Sequence, residues 1–312
     1  MAGWIKARFP ECKIYFLGRT YTRDIVALSS HVDEFINFDL LESLSQKEKI
    51  QKIKSFNADI FVHVFPRKQL ARLAKSACVP IRVGTFSRPY HWLNCNTLVK
   101  LSRKNSLFHE AQLNIKLLGF LNEDTRVSAE EIPAYYGFTR VPQLASEFRN
   151  LIAPGKFNLV LHPKSKGSAK EWGIPNFKKL VALLPADQFK IFISGTAEEG
   201  KLMPELLNDP RITDLTGKLT LQQLVAFINH CDGLVAASTG PLHVAAALGK
   251  KALGLFVPRR PIHPGRWRPL GPRARAVVFD DNCQACASGI ECSCITKINP
   301  EQIKNLLENE TI

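Results

Sequence analysis

Short β-branched and aromatic runs alternate with amphipathic stretches along most of the chain. Residues 13–17 (Lys-Ile-Tyr-Phe-Leu) end at Gly18, and residues 59–64 (Asp-Ile-Phe-Val-His-Val) end before Pro66. Such short, nearly continuous apolar runs are the pattern of strands buried on both faces of a parallel sheet. Between them, residues 40–55 place Leu41, Leu44, Ile50 and Ile53 opposite a charged face, which predicts an amphipathic helix. Residues 66–77 predict a second helix and 81–84 a further short strand. Beyond Pro154 the rhythm restarts, with strands predicted at 158–162, 190–194, 233–237 and 252–257. Helices are predicted at 176–184, 197–208, 221–230 and 241–248.

The periodicity fades from 125 to 154, where Pro133, Gly137, Pro142, Pro154 and Gly155 interrupt it. At 312 residues the chain exceeds what one hydrophobic core usually holds. The pattern therefore predicts two α/β domains, 1–145 and 150–312, each Rossmann-like, with parallel strands covered by helices. In such sheets ligands bind at the carboxyl ends of the strands. The loops that follow the predicted strands are where chemistry is expected.

Two of those loops stand out. After the strand ending at Ala237 comes Ser238-Thr239-Gly240-Pro241-Leu242-His243. Ser238 or Thr239 can cap a helix, and Pro241 suits a first turn that needs no donor. Gly249 fits the left-handed end of that helix, with Lys250 and Lys251 beside its negative pole. A helix N-terminus with a glycine for close approach is a ready anion site, and His243 lies one turn in. The second loop, residues 161–173, carries Lys164, Lys166 and Lys170 among Ser165, Gly167 and Ser168. Its cations and donors suit a diphosphate. No Gly-x4-Gly-Lys-Ser/Thr and no Gly-x-Gly-x-x-Gly occurs, which disfavours a P-loop ATPase or a dinucleotide-dependent dehydrogenase.

Composition sharpens this only in part. With 45% hydrophobic and 22% charged residues the chain is an ordinary globular protein, neither disordered nor collagen-like. No stretch approaches a membrane span, and residues 1–8 lack the apolar core of a signal peptide, so a cytoplasmic location is expected. The formal charge of +14 is spread over both halves and favours polyanionic partners: phosphorylated metabolites, anionic lipid or nucleic acid. No RNA-binding aromatic motif or helix-turn-helix pattern is present, so nucleic acid is not the expected partner.

Taken together, His162-Pro163, Lys170-x-Trp172, Ser194-Gly195 with Glu198-Glu199, and Leu215-Thr216-Gly217 form an ordered set. Ser238-Thr239-Gly240-Pro241-Leu242-His243 and Arg266-Trp267-x-Pro269-x-Gly271 continue it. Over about residues 157–275 this set resembles glycosyltransferase family 9, which includes the bacterial ADP-heptose:lipopolysaccharide heptosyltransferases. The first half is similar to the family's acceptor domain, through looser motifs. The resemblance implies a GT-B architecture, two Rossmann-like domains facing across a cleft, and inverting transfer of heptose to the lipopolysaccharide inner core. The alternatives are another sugar nucleotide and acceptor within the same family, or a donor-binding pseudoenzyme.

The resemblance also implies roles. Lys170 pairs with the donor diphosphate, and Thr239 and Gly240 offer backbone donors, with Ser168, Ser238, Pro241 and His243 completing the donor site. Lys170 and His243 are the expected catalytic residues. Glu199, or its neighbour Glu198, accepts from the ribose hydroxyls. A lysine and a helix N-terminus can stabilise the leaving phosphate without a metal, so neither a metal nor another cofactor is expected. Some members carry Asp where Ser238 stands. The family's first strand and its Asp general base precede a helix that Met1–Arg8 resembles, so both are expected to lie before Met1. The chain as given is then expected to bind donor and transfer weakly or not at all.

Residues 90–105 mix aromatics, amides and cations. Arg88, Lys100, Arg103 and Lys104 are the candidates for meeting the anionic core sugars and the inner face of the membrane; an ordinary surface helix with a basic face is the alternative. Finally, Cys283-x2-Cys286-x5-Cys292-x-Cys294 has the composition of a zinc site without its paired C-x2-C spacing. Free or labile thiols are the expectation there, with structural metal the alternative.

Overall fold

A computed structural model describes residues 1–103 and 106–309. Lys104 of the basic segment lies outside the described residues. The chain divides into two compact units, Met1–Gly137 and Phe138–Ile312.

In the first unit, β1 (Tyr15–Gly18) pairs in parallel with β2 (Glu34–Asn37). A second parallel sheet has the order β3 (Ile60–Val62), β4 (Ile81–Thr85), β5 (Thr97–Val99). Both sheets reach one apolar cluster: Leu17 and Phe61 pack against Phe38, Leu41, Ile53 and Leu73. The helix expected over 40–55 is two helices, Phe38–Glu42 and Gln46–Ser55. Local hydrogen bonding explains the break. Asn37 caps the first helix, and Ser45 forms a reciprocal capping box with Glu48 that starts the second.

The basic segment 90–105 is not one surface helix. The helix Pro89–Asn94 stops, and β5 follows at once. Asn96 fixes the change of direction, accepting from the Arg82 N–H at 2.8 Å and donating to the Pro80 carbonyl at 2.7 Å.

The second unit holds six parallel strands. They are β6 (Phe157–His162), β7 (Phe189–Ile193), β8 (Ile212–Asp214), β9 (Gly233–Ala237), β10 (Lys251–Phe256) and β11 (Ala274–Val278). Their order is β11-β10-β9-β6-β7-β8. Strand order therefore reverses between β6 and β9, with His162 in register with Ala236. The two loops singled out above leave the carboxyl ends of these two neighbouring strands, which is where a doubly wound sheet opens a crevice.

Central strands of this sheet are buried at all but two positions, Phe157 and Lys190, whereas β8 is three part-buried residues and β11 carries an exposed Arg275. That is why neither edge strand is visible in the apolar pattern. The helix expected over 197–208 is likewise split, into Ala197–Gly200 and Pro204–Leu207, since Pro204 has no N–H to continue it. Lys251 also departs from expectation. It is buried at the start of β10, and its Nζ donates to the Leu307 and Asn309 carbonyls at 2.9 and 2.5 Å. It caps the C-terminal helix Pro300–Glu308 rather than the helix Gly240–Ala247. No described helix is long and apolar enough to cross a membrane.

Candidate functional site

A cavity of about 350 Å³ opens at the reversal between β6 and β9. Ser168, Ala169 and Lys170 line one side, and Ser238, Thr239, Gly240 and His243 another. Leu255–Val257, Ile262, Trp267 and Ile295 supply apolar walls. Six of the eight expected donor residues thus meet in one concavity: Ser168, Lys170, Ser238, Thr239, Gly240 and His243. Pro241 and Glu199 do not line it.

The loop after β6 owes its shape to internal polar contacts. Lys166 and Gly167 both have positive φ, +49° and +77°, and the Ser168 N–H donates to the Ser165 carbonyl at 3.0 Å. Those are the marks of a type I′ turn. Glu171 organises the base of the loop, accepting from Lys164 Nζ at 2.5 Å and from the Ser165 N–H at 3.0 Å. Lys164 is thereby spent within the loop, and Lys170 is the lysine that lines the cavity, its Nζ 3.2 Å from Glu291 Oε1. Trp172 anchors the loop to the core. It is buried, packs edge-on against Phe177 at 5.0 Å, and donates from Nε1 to the Ile298 carbonyl at 2.9 Å.

Across the cavity, Thr239 is the N-cap of the helix Gly240–Ala247. The N–H groups of Thr239, Gly240 and Leu242 fall in the first turn, where a helix offers no internal acceptor. Thr239 makes no side-chain cap bond, and its buried Oγ1 has no partner among the described residues. A buried hydroxyl left unpaired costs stability, so its place at a cavity wall points to a ligand. Gly240 carries the same message: a Cβ built there meets nothing within 4 Å. No protein contact requires glycine at this position, and a side chain would fill the cavity. Gly271 differs, since a Cβ there would lie 2.4 Å from the Ala246 carbonyl oxygen.

His243 is part-buried in the cavity wall, and the loss of water around it pushes its pKa down to about 4. It is therefore a neutral imidazole near neutral pH. It can share one hydrogen bond with an anion but adds no positive charge, which leaves that task to Lys170 and the helix end.

The remaining motifs hold the frame. His162 Nδ1 lies 2.9 Å from Ser194 Oγ, tying the end of β6 to that of β7, and burial lowers its pKa. Glu199 is buried, and its Oε2 accepts from the Thr196 N–H at 2.7 Å and from Thr196 Oγ1 at 3.0 Å. The first of these bonds, with the Glu199 N–H donating to Thr196 Oγ1 at 3.3 Å, makes the capping box of the helix Ala197–Gly200. A Cβ at Gly200 would strike Thr216 Oγ1 at 2.4 Å, and one at Gly217 would strike the Ala197 Cβ at 2.7 Å. The helix Ala197–Gly200 and the Leu215-Thr216-Gly217 motif thus share one close contact, and the Gly217 N–H donates to the Gly195 carbonyl at 2.9 Å. Glu198 lies exposed, paired with Lys201 at 2.8 Å.

In the first unit, Arg88 and Lys100 are exposed. Arg103 is not available in the same way. Its guanidinium pairs with Glu110 and donates to Asn114 Oδ1 and the Val64 carbonyl at 3.0 and 3.1 Å, bracing the loop after β5.

The sequence reading passed over Glu171, Glu291 and Ile295. The first is a lone acid inside a basic loop, which is a legible signal. The other two reach the site only through folding.

Residues 69–294 match the family model of glycosyltransferase family 9 (heptosyltransferase). A Campylobacter jejuni protein described as lipooligosaccharide heptosyltransferase 2 is 28% identical over 226 residues, covering 66% of this chain and 67% of its own. Among solved structures, ADP-heptose LPS heptosyltransferase II of Escherichia coli aligns with a TM-score of 0.71 at 18% identity, over 98% of this chain and 92% of its own. A family 9 glycosyltransferase from Veillonella parvula aligns with a TM-score of 0.79 at 18% identity, over the same shares. At that identity the likeness carries the fold, and the fold is GT-B.

Proposed function

The chain belongs to glycosyltransferase family 9, the heptosyltransferase family, and from that premise we propose that it moves heptose from ADP-heptose to the lipopolysaccharide inner core. It is a glycosyltransferase; the donor, the acceptor and the manner of transfer are our reading. The observation that carries it is the cavity at the β6–β9 reversal, where Lys170 faces a helix end with an open Gly240 and an unpaired Thr239 hydroxyl.

In this reading the donor diphosphate sits between Lys170 and the first turn of Gly240–Ala247. As the acceptor hydroxyl displaces the nucleoside diphosphate, with inversion at the anomeric carbon, negative charge grows on the leaving phosphate oxygen. The Lys170 ammonium, once released from Glu291, and the first-turn N–H groups supply the positive charge that stabilises this oxygen. Neutral His243 contributes a hydrogen bond to the same oxygens. Positive charge from these groups takes the place of a divalent ion, so transfer is metal-independent. Arg88 and Lys100 are the exposed cations that serve the anionic acceptor at the membrane face. Glu199 serves the ribose hydroxyls through its second oxygen, Oε1.

Calorimetry with ADP, UDP and a short oligonucleotide tests the donor assignment, and transfer of heptose from ADP-heptose to heptose-deficient lipopolysaccharide tests the reaction. ADP is expected to bind more tightly than UDP, and the oligonucleotide weakly. In a form of the protein that is active, transfer is expected to proceed in excess EDTA without added Mg²⁺. A preference for UDP would overturn the donor, and turnover that Mg²⁺ alone restores would overturn the leaving-group account.

A further inference from the structure

Cys283-x2-Cys286-x5-Cys292-x-Cys294 is the one cluster of reactive side chains among the described residues that the transfer reaction does not use. Its spacing does not resemble paired knuckles, yet folding gathers all four thiols. Cys283 caps the short helix Gln284–Ala287, which places Cys286 one turn on and facing the same way. Gly289, at φ +72°, then reverses the chain, with the Gly289 and Ile290 N–H groups closing back onto the Cys286 and Ala285 carbonyls at 3.2 and 3.0 Å. The returning loop brings Cys292 to 3.4 Å from Cys283 and Cys294 to 3.4 Å from Cys286, sulfur to sulfur.

All four sulfurs lie within 4.8 Å of one another. A tetrahedral ion with metal–sulfur bonds of about 2.3 Å sets its ligands about 3.8 Å apart, so the observed separations bracket the edge of that tetrahedron. Two separate disulfides have no need to bring both pairs to one centre. A multinuclear iron–sulfur cluster would hold its cysteines further apart, because its own metal and sulfide atoms lie between them. The backbone supplies outer support as well: the Cys294 N–H donates to Cys292 Sγ at 3.3 Å, the kind of bond that orients a thiolate ligand. Cys286 and Cys294 are buried among apolar neighbours of the main core, while Cys283 and Cys292 are part-exposed. One side of the cluster is therefore dry, and the other leaves an entry path.

We propose that Cys283, Cys286, Cys292 and Cys294 together bind one tetrahedral divalent ion with thiolate preference, Zn²⁺ or Fe²⁺, as a structural site. Binding releases the thiol protons to solvent, and no redox change is involved. The ion fixes a segment with few regular elements of its own against the core. Ile295, next to Cys294, is a wall of the cavity described above, and Ile298 accepts the Trp172 anchor bond. The metal thus braces one wall of that cavity from outside. It stands whether or not the cavity holds an ADP-sugar.

The test is the metal content of the full chain, produced with Zn²⁺ and Fe²⁺ both supplied and purified under reductant without chelator. One ion per chain is expected by elemental mass spectrometry, with the element identifying which of the two the site takes. Metal-free protein titrated with Co²⁺ should develop the intense visible bands of tetrahedral thiolate coordination. Both signals should be lost in a Cys292→Ser/Cys294→Ser variant, and the wild-type measurements stand even if that variant fails to fold. Wild-type protein that carries no metal and gives no cobalt bands while its four thiols react freely would overturn the proposal. So would peptides linked by disulfides within this cluster in protein kept reduced.

Discussion

Lys170 Nζ lies 3.2 Å from Oε1 of Glu291, a residue 121 positions further along the chain. The pair joins the loop after β6 to the cysteine segment, next to Cys292. Its side chains are 41% and 89% exposed, so its own contribution to stability is small. Its interest lies in what it does to Lys170: the carboxylate occupies the ammonium that the proposed function assigns to the donor diphosphate.

Two substitutions follow from this pair. Lys170→Ala should weaken ADP binding by roughly 1.5–3 kcal/mol, the range of a charge-assisted hydrogen bond. Glu291→Gln should do the opposite and tighten ADP by up to about 1 kcal/mol, because a competing exposed anion is removed. Isothermal calorimetry on both folded variants checks the signs. Equal affinity across wild type and Lys170→Ala would remove Lys170 from the donor site.

Gly240 offers a cleaner probe of the cavity. Because a Cβ there meets nothing within 4 Å, Gly240→Val should fold and melt close to wild type. The isopropyl group would nevertheless occupy the space in front of the helix end, and ADP affinity should fall more than tenfold. A variant that binds ADP normally would mean that the nucleotide sits elsewhere.

The pH dependence of stability follows from His243, whose pKa is pushed down to about 4 by burial. The unfolded chain, with histidine near its ordinary value, binds a proton that the folded state refuses. His243 therefore destabilises the fold as pH drops from about 6.5 towards 4, and has no such effect above that window. By pH 5 the loss should reach up to about 2 kcal/mol. His63, also pushed down to about 4, adds a similar loss in the first unit. The pH slope of urea midpoints between pH 7 and 5 should be shallower in His243→Gln than in wild type. Identical slopes would show that His243 protonates freely in the fold.

Lys251 makes a stability prediction apart from the site. Its two bonds to the Leu307 and Asn309 carbonyls end the helix Pro300–Glu308 in a buried setting. Lys251→Met should cost about 2 kcal/mol and fray that helix, with ADP affinity retained. Hydrogen exchange resolved by peptide would show fast exchange confined to residues 300–309. Protection spread evenly over the unit would refute this assignment of its role.

The apolar periodicity of the sequence was sufficient for the α/β class and for the strands β6, β7, β9 and β10, because a strand buried on both faces is apolar at most positions. The loops after β6 and β9 were legible too, because a helix start, a proline without an N–H and a run of lysines are local features; folding brings Ser168, Lys170, Ser238, Thr239, Gly240 and His243 to one cavity. What the linear pattern could not carry was anything decided by distant neighbours. Edge strands β8 and β11 lack the pattern because one side of each is left unpaired. Lys251 looks like a companion of the helix before it until the fold lays the C-terminal helix across it. The helix Ala197–Gly200 and the Thr216-Gly217 pair read as separate features until packing shows them sharing one close contact. The cysteines are the sharpest case. Their spacing argues for free thiols, whereas the left-handed turn at Gly289 draws their sulfurs to within 4.8 Å of one another, a distance that only tertiary structure could set.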